Sequence, residues 1–239
     1  MRLLAGASGY SFKEWKGTFY PENMKPEAML AWYAERLPTV EINNTFYQMP
    51  KVSVLENWAK STPGGFRFAI KASRRITHMA RLKADTAADS VAYLYKNLAV
   101  LGAKRGPVLF QLPPFMKKDV ELLEVFLHDL PTGLKATMEF RHPSWHADDT
   151  YEVLRRFGVA LCIADTDEHT TPFEVTAPFG YFRLRRSDYD EETLRGWAER
   201  IGGAGWEQAF VYFKHEERGT GPRFAAQFTA LVGAEGAPA

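Results

Sequence analysis

Lys135-Ala-Thr-Met-Glu-Phe-Arg-His-Pro-Ser-Trp145 reads as a short strand that stops abruptly in charge. With a strand's period of two, Lys135, Thr137, Glu139 and Arg141 share one face, and Ala136, Met138 and Phe140 share the other. Pro143 cannot donate to a ladder and ends it, leaving His142 and Trp145 in the loop beyond. One strand finishing in a glutamate and an arginine is an ordinary ion pair. The pattern gains weight because other strands of this chain finish the same way.

Working outward, Leu3–Ala7, Thr39–Asn43, Phe66–Lys71 and Pro107–Gln111 read as strands upstream. Val159–Asp165, Gly180–Arg185 and Gln208–Lys214 read as strands downstream. Apolar residues at helical spacing predict helices over 26–36, 52–61, 86–101, 119–130, 148–157, 190–201 and 222–232. Eight strands, mostly followed by helices, in 239 residues are the count of a (β/α)8 TIM-type barrel. Residues 166–178 carry no helical pattern, so the barrel is expected to be irregular between its sixth and seventh strands. A doubly wound open sheet is the competing architecture, but the glycine-rich phosphate turn that often follows its first strand is absent. One domain is expected over residues 1–235, with a frayed Gly-Ala-Pro tail at 236–239.

Composition fits this reading. The chain is 46% hydrophobic and 25% charged, with a net charge of +1, so whole-molecule attraction to nucleic acid is not expected. A lone cysteine, Cys162, excludes an intrachain disulfide and sits in an apolar run as a core filler. The opening Met1–Ser8 is too short and too soon polar for a signal peptide, and no apolar run reaches membrane-spanning length. A cytoplasmic location is therefore expected.

In a barrel of this kind chemistry sits where the strands' C-terminal ends meet. Those ends carry Ser8, Glu41 and Asn43, Lys71, Gln111, Glu139 and Arg141, Asp165, Arg183, and Lys214 or His215. Charged and amide groups gathered at one mouth are costly to desolvate without a purpose. Glu41 and Glu139, from well-separated strands, suit acid/base work on a molecule bound between them. Arg141 would hold Glu139 ionised, as a base requires, and Lys71 would act as acid, electrophile or imine-forming amine if buried enough. Glu139, Lys71 and Glu41 are thus the expected catalytic residues. Arg141, Asn43, Gln111, Asp165, Arg183, His142 and Lys214 are expected to hold the substrate, with Tyr10, Trp15 and Tyr47 stacking on a ring. Arg74, Arg75, Arg185 and Arg186 add positive charge at or beyond strand ends, which points to a small anionic substrate. No His-x-His or His-Glu-x-x-His spacing is present, and the cations would crowd a metal out; neither metal nor cofactor is expected.

Several motifs resemble one family across essentially the whole chain. They are Gly6-Ala-Ser-Gly-Tyr10 with Trp15 and Phe19-Tyr-Pro21, Glu41-Ile-Asn-Asn-Thr-Phe-Tyr47, Phe68-Ala-Ile-Lys71 with Thr77-His78, Gln111-Leu-Pro-Pro114, and Glu139-Phe-Arg-His142 with Ser144-Trp145. In this order they are similar to the signatures of the YecE-like family, a domain of unknown function. The resemblance implies a (β/α)8-type barrel and brings no established reaction; by fold analogy it admits a nucleic-acid role like that of barrel-fold repair endonucleases. The alternative to a small-molecule enzyme is accordingly a nucleic-acid-binding or endonuclease-like protein using the basic, aromatic-rich rim. The chain departs from the family pattern at Arg183-Leu-Arg-Arg186, where Arg-x-His-Gly is usual, and at Lys214-His-Glu216, where Asn-Asn-Asp is usual.

Overall fold

In the computed structural model, which describes residues 1–215 and 217–235, eight parallel strands close on themselves in sequence order. The strands are β1 (Arg2–Ala7), β2 (Thr39–Ile42), β3 (Arg67–Lys71), β4 (Arg105–Gln111), β5 (Ala136–Glu139), β6 (Ala160–Asp165), β7 (Phe179–Leu184) and β8 (Gln208–Phe213). Seven α-helices occur among the described residues: α1 (Pro26–Ala34), α2 (Val52–Lys60), α3 (Ala84–Leu98), α4 (Val120–His128), α5 (Asp148–Phe157), α6 (Glu191–Gly202) and α7 (Thr220–Glu235). The expected barrel is present, and so is its irregularity. β6 runs to β7 without a helix, through a bridge between Asp165 and Thr170. Glu216 and the tail at 236–239 lie outside the described residues.

Local chemistry explains the helix ends. Asp119 caps α4 by accepting the Leu122 N–H (3.0 Å), and Asp190 caps α6 by accepting that of Thr193 (2.8 Å). Gly158, at φ 62°, closes α5 in the left-handed conformation that glycine adopts without steric cost. The basic stretch after β3 forms a π-helical turn over Arg75–Met79, followed by Arg81 and Leu82 at positive φ.

Alternation along the strands makes two cores. Val40, Ile70, Phe110, Met138, Ile163, Phe182 and Val211 point outward against the helices, while Leu4, Leu109, Cys162, Phe179, Tyr181, Phe210 and Tyr212 fill the barrel. The interior is thus a packed plug at its base, and only its upper end is free to carry polar groups. β1 pairs with β8 over six residues but with β2 only at Gly6–Thr39 and Ala7–Val40. There the Tyr33 hydroxyl of α1 accepts the Ala7 N–H (2.7 Å) and donates to the Thr39 carbonyl (2.9 Å). Gly6 is needed at this seam, since a Cβ on it would lie 2.0 Å from the Thr39 carbonyl oxygen.

Candidate active site at the barrel mouth

Strand parity carries Glu41, Lys71, Gln111, Glu139 and Arg183 inward, above the apolar plug. Arg183 is 1% exposed and lies between two carboxylates. Its Nη1 donates to Glu139 Oε2 (2.7 Å), and its Nη2 donates to Glu41 Oε1 (2.9 Å) and Asn43 Oδ1 (3.3 Å). Glu41 also accepts from the Tyr181 hydroxyl (2.7 Å) and from Asn43 Nδ2 (2.9 Å). Glu139 accepts from Gln111 Nε2 (2.7 Å), and Gln111 Oε1 accepts from Lys71 Nζ (2.8 Å). Arg141 Nε and Arg185 Nη1 approach Glu139 Oε1 at 3.6 and 4.0 Å.

Charge balance sets the protonation of this ring. Burial alone would push the Glu139 carboxyl up, but Arg183, with Arg185 and Arg141 behind it, overrides burial and holds it at about 2. Burial likewise opposes ionisation of Glu41, and Arg183 with the Tyr181 and Asn43 hydrogen bonds keeps it below the usual carboxylate range. Burial works against the charge on Arg183 too, yet its two carboxylates lock it in the protonated form. Lys71 is the exception: burial and the positive charge of Arg183 outweigh the pull of Glu139 and Glu41, lowering it to about 8. Cys162, 4.0 Å from Glu139 Oε2, is kept protonated by burial and by that carboxylate, as a core filler would be.

Two chambers open above the ring, with Arg185 and Lys214 lining both. The smaller, about 400 Å³, has Lys71, Arg183, Arg185 and Lys214 in its lining and no carboxylate among the described residues. The Ser8 hydroxyl, 7% exposed and without a hydrogen-bond partner among the described residues, also lines it. The larger, about 980 Å³, mixes Glu139, Asp167, Glu168 and Glu217 with Arg141 and His169.

Most expected site residues converge here. Glu41, Lys71, Glu139, Arg183, Asn43 and Gln111 form the bonded ring, Arg141 and Lys214 stand over it, and Tyr10 and Tyr47 line the smaller chamber. Of the Lys214/His215 pair, Lys214 lines both chambers, whereas His215 lines only the larger and sets its Nε2 2.6 Å from the Arg186 carbonyl.

Three expectations need correction. Asp165 does not face the mouth. It shares the parity of Leu161 and Ile163, points toward the helix layer, and is spent on Thr170 (2.6 Å), Tyr189 (3.0 Å), Trp197 (3.2 Å) and Arg186 (2.9 Å). Trp15 is 1% exposed and packs on Phe12, Phe19 and Tyr20, so it builds the β1–α1 loop and has no face for a ligand. His142 lines neither chamber; its Nδ1 meets the Ser144 hydroxyl (2.8 Å) and caps the short turn over Pro143–Trp145.

Sequence reasoning missed Tyr181 and the wall formed by Thr166–His169. Tyr181 was accessible, because it has the parity of Arg183. The wall was not, because it has no periodicity. Among the described residues no three His, Cys, Asp or Glu side chains converge as metal ligands do, and no helix is long and apolar enough to cross a membrane.

Comparison with known proteins adds lineage. A family model described as "Protein of unknown function DUF72" matches residues 4–239. The UPF0759 protein YunF of Bacillus subtilis is 25% identical, over 84% of this chain and 75% of its own. The UPF0759 protein YecE of Escherichia coli is 33% identical over 116 residues, 48% of this chain and 42% of its own. A crystal structure of a DUF72 family protein from Thermotoga maritima superposes with a TM-score of 0.83 at 25% identity, covering 98% of this chain and 100% of that one. One from Enterococcus faecalis, at 19% identity and a TM-score of 0.81, shares the fold over 97% and 95% of the two chains.

Proposed function

This chain belongs to the DUF72 family, and we propose that its barrel mouth is the active site of an enzyme acting by acid/base chemistry on a small anionic molecule. The observation that carries the reading is the smaller chamber, which gathers Lys71, Arg183, Arg185 and Lys214 with no carboxylate in its lining among the described residues. Around the smaller chamber Lys71, Arg183 and Arg185 outnumber the two ring carboxylates, Glu41 and Glu139, which favours a phosphate or carboxylate group there.

Within this reading the catalytic roles shift from those expected. Glu139, held at about 2 with Arg183 and Gln111 on its oxygens, is a poor base at neutral pH and serves as an electrostatic anchor. Glu41 is committed in the same way. Lys71, lowered to about 8, is the group whose proton comes and goes near neutrality, which is where a general acid/base is most effective.

The test is a panel of sugar phosphates, hydroxy acids and oxo acids screened by thermal unfolding, with hits followed by proton exchange into D₂O by NMR. An anion at one hundred times its Kd stabilises by about 2.7 kcal/mol, or roughly 5–10 °C for a domain of this size. The expected result is such a shift in the wild type, its loss in R185Q/K214Q, and a K71M variant that keeps the shift and loses exchange. Shifts that survive R185Q/K214Q, or no shift with any anion, would overturn the reading.

A further inference from the structure

We propose that Lys71 is a nucleophile that forms an imine with a carbonyl compound whose anionic group is held by Arg185, Lys214 and Ser8. This rests on the reading above and narrows it to oxo acids and sugar phosphates as the substrate class.

The geometry around Lys71 differs from that of every arginine in the ring. Arg141, Arg183 and Arg185 each lie 4.0 Å or less from a carboxylate oxygen. Among the described residues Lys71 has no such partner: its contacts are Gln111 Oε1 at 2.8 Å and the face of Phe46, 4.3 Å from the ring centroid. Gln111 is the reason. A carboxylate only accepts, so the amide turns Nε2 toward Glu139 and presents Oε1 to Lys71. A neutral amide therefore stands where a second carboxylate would have pinned the ammonium. When Lys71 is neutral it still donates one N–H to Gln111, which fixes its orientation and leaves its lone pair for the chamber.

The rest of the chamber suits the partner. Arg185 and Lys214 form one wall, and the Ser8 hydroxyl, more than nine-tenths buried, lacks a hydrogen-bond partner among the described residues. An anionic tail would give the Ser8 hydroxyl an acceptor beside these two cations. Burial also supplies reactive amine: with Lys71 at about 8, about one molecule in ten carries a neutral amine at pH 7, against about one in 2,500 at the ordinary lysine value.

In the step itself the amine lone pair adds to the carbonyl carbon to give a carbinolamine. A proton passes from nitrogen to the former carbonyl oxygen, and that oxygen leaves as water, giving the imine without oxidant or reductant. His78 packs edge-on against the same Phe46 ring, at 4.9 Å between centroids, and its Nδ1 meets the Thr77 hydroxyl at 2.9 Å. Burial and the nearby charges of Lys71 and Arg141 hold its pKa below the usual imidazole value, so it adds little positive charge beside the amine.

The full chain is incubated at pH 7 with pyruvate or glyceraldehyde 3-phosphate and sodium cyanoborohydride, and the reduced adduct is located by peptide mass spectrometry. The expected result is labelling at Lys71 at least tenfold faster than at surface lysines, absent at that position in K71R, and slowed about tenfold or more in R185Q/K214Q. Propanal, which has no anionic group, should label Lys71 at least tenfold more slowly than glyceraldehyde 3-phosphate does, and at a rate that R185Q/K214Q leaves unchanged. Labelling spread evenly over surface lysines, or an unmodified Lys71, would overturn the imine. If anions still stabilise the fold in that case, the proposed function survives without it. Labelling of Lys71 by propanal as fast as by glyceraldehyde 3-phosphate would sink the anion clamp.

Discussion

Replacing Arg183 with methionine tests the electrostatic design of the barrel directly. In the wild type Arg183 bonds Glu139 at 2.7 Å and Glu41 at 2.9 Å, with all three side chains nearly inaccessible. Holding Glu139 at about 2, down from 4.5, corresponds to about 3 kcal/mol of stability. Because the folded value lies below the unfolded one, that contribution is present above pH 4.5 and is lost as pH falls toward 2. R183M strands two buried carboxylates. Leaving one buried charge unpaired costs about 3–5 kcal/mol, so the upper end of that range is expected at pH 7.5. Without the guanidinium, burial lifts both carboxyls above their unfolded values. The variant is then most stable where they are protonated, and it loses stability as pH rises through the raised values. Urea unfolding followed by tryptophan fluorescence should therefore show the R183M midpoint climbing from pH 7.5 to 5.5, before the wild type's own acid loss begins. Adding E41Q and E139Q to R183M should recover most of the loss at neutral pH. An R183M variant within 1 kcal/mol of wild type at pH 7.5, or one whose midpoint falls on acidification, would refute the account.

Three further outcomes follow from other parts of the molecule. Wild-type stability should rise between pH 8 and 10.5 relative to K71M by about 1–3 kcal/mol, since the folded lysine releases its proton before the unfolded one does; parallel urea titrations would measure the difference. D165A should cost about 3 kcal/mol by stranding the Tyr189 and Trp197 donors, while leaving anion-induced shifts intact, because that carboxylate does not belong to the mouth. G6A should cost more than 3 kcal/mol or fail to fold, because its methyl group would overlap the Thr39 carbonyl; circular dichroism and a urea midpoint decide it.

Much of this was legible in the chain because an α/β barrel writes its interior at every second strand position. Glu41, Lys71, Glu139 and Arg183 each sit opposite bulky outward neighbours, and parity alone brought them to one ring. Asp165 was misread for want of the same test: on β6 the small residues Ala160, Cys162 and Ala164 face in, and the acid follows Leu161 and Ile163 outward. Trp15 and His142 were misplaced because loop side chains obey no period, and whether they meet ligand or core depends on the packing of distant segments. The division of labour between Glu139 and Lys71 was beyond any one-dimensional reading. It depends on which cation reaches which carboxylate and on the direction of one amide.

The seam between β1 and β2 bears on how the molecule is assembled. The first strand owes six ladder pairs to the last strand and only two to its neighbour in sequence. During synthesis residues 2–7 must therefore wait, largely unclaimed, until residues 208–213 emerge. Closing the cylinder is a meeting of the chain's two ends, and the Tyr33 hydroxyl is the local tether that keeps the early end in place for it.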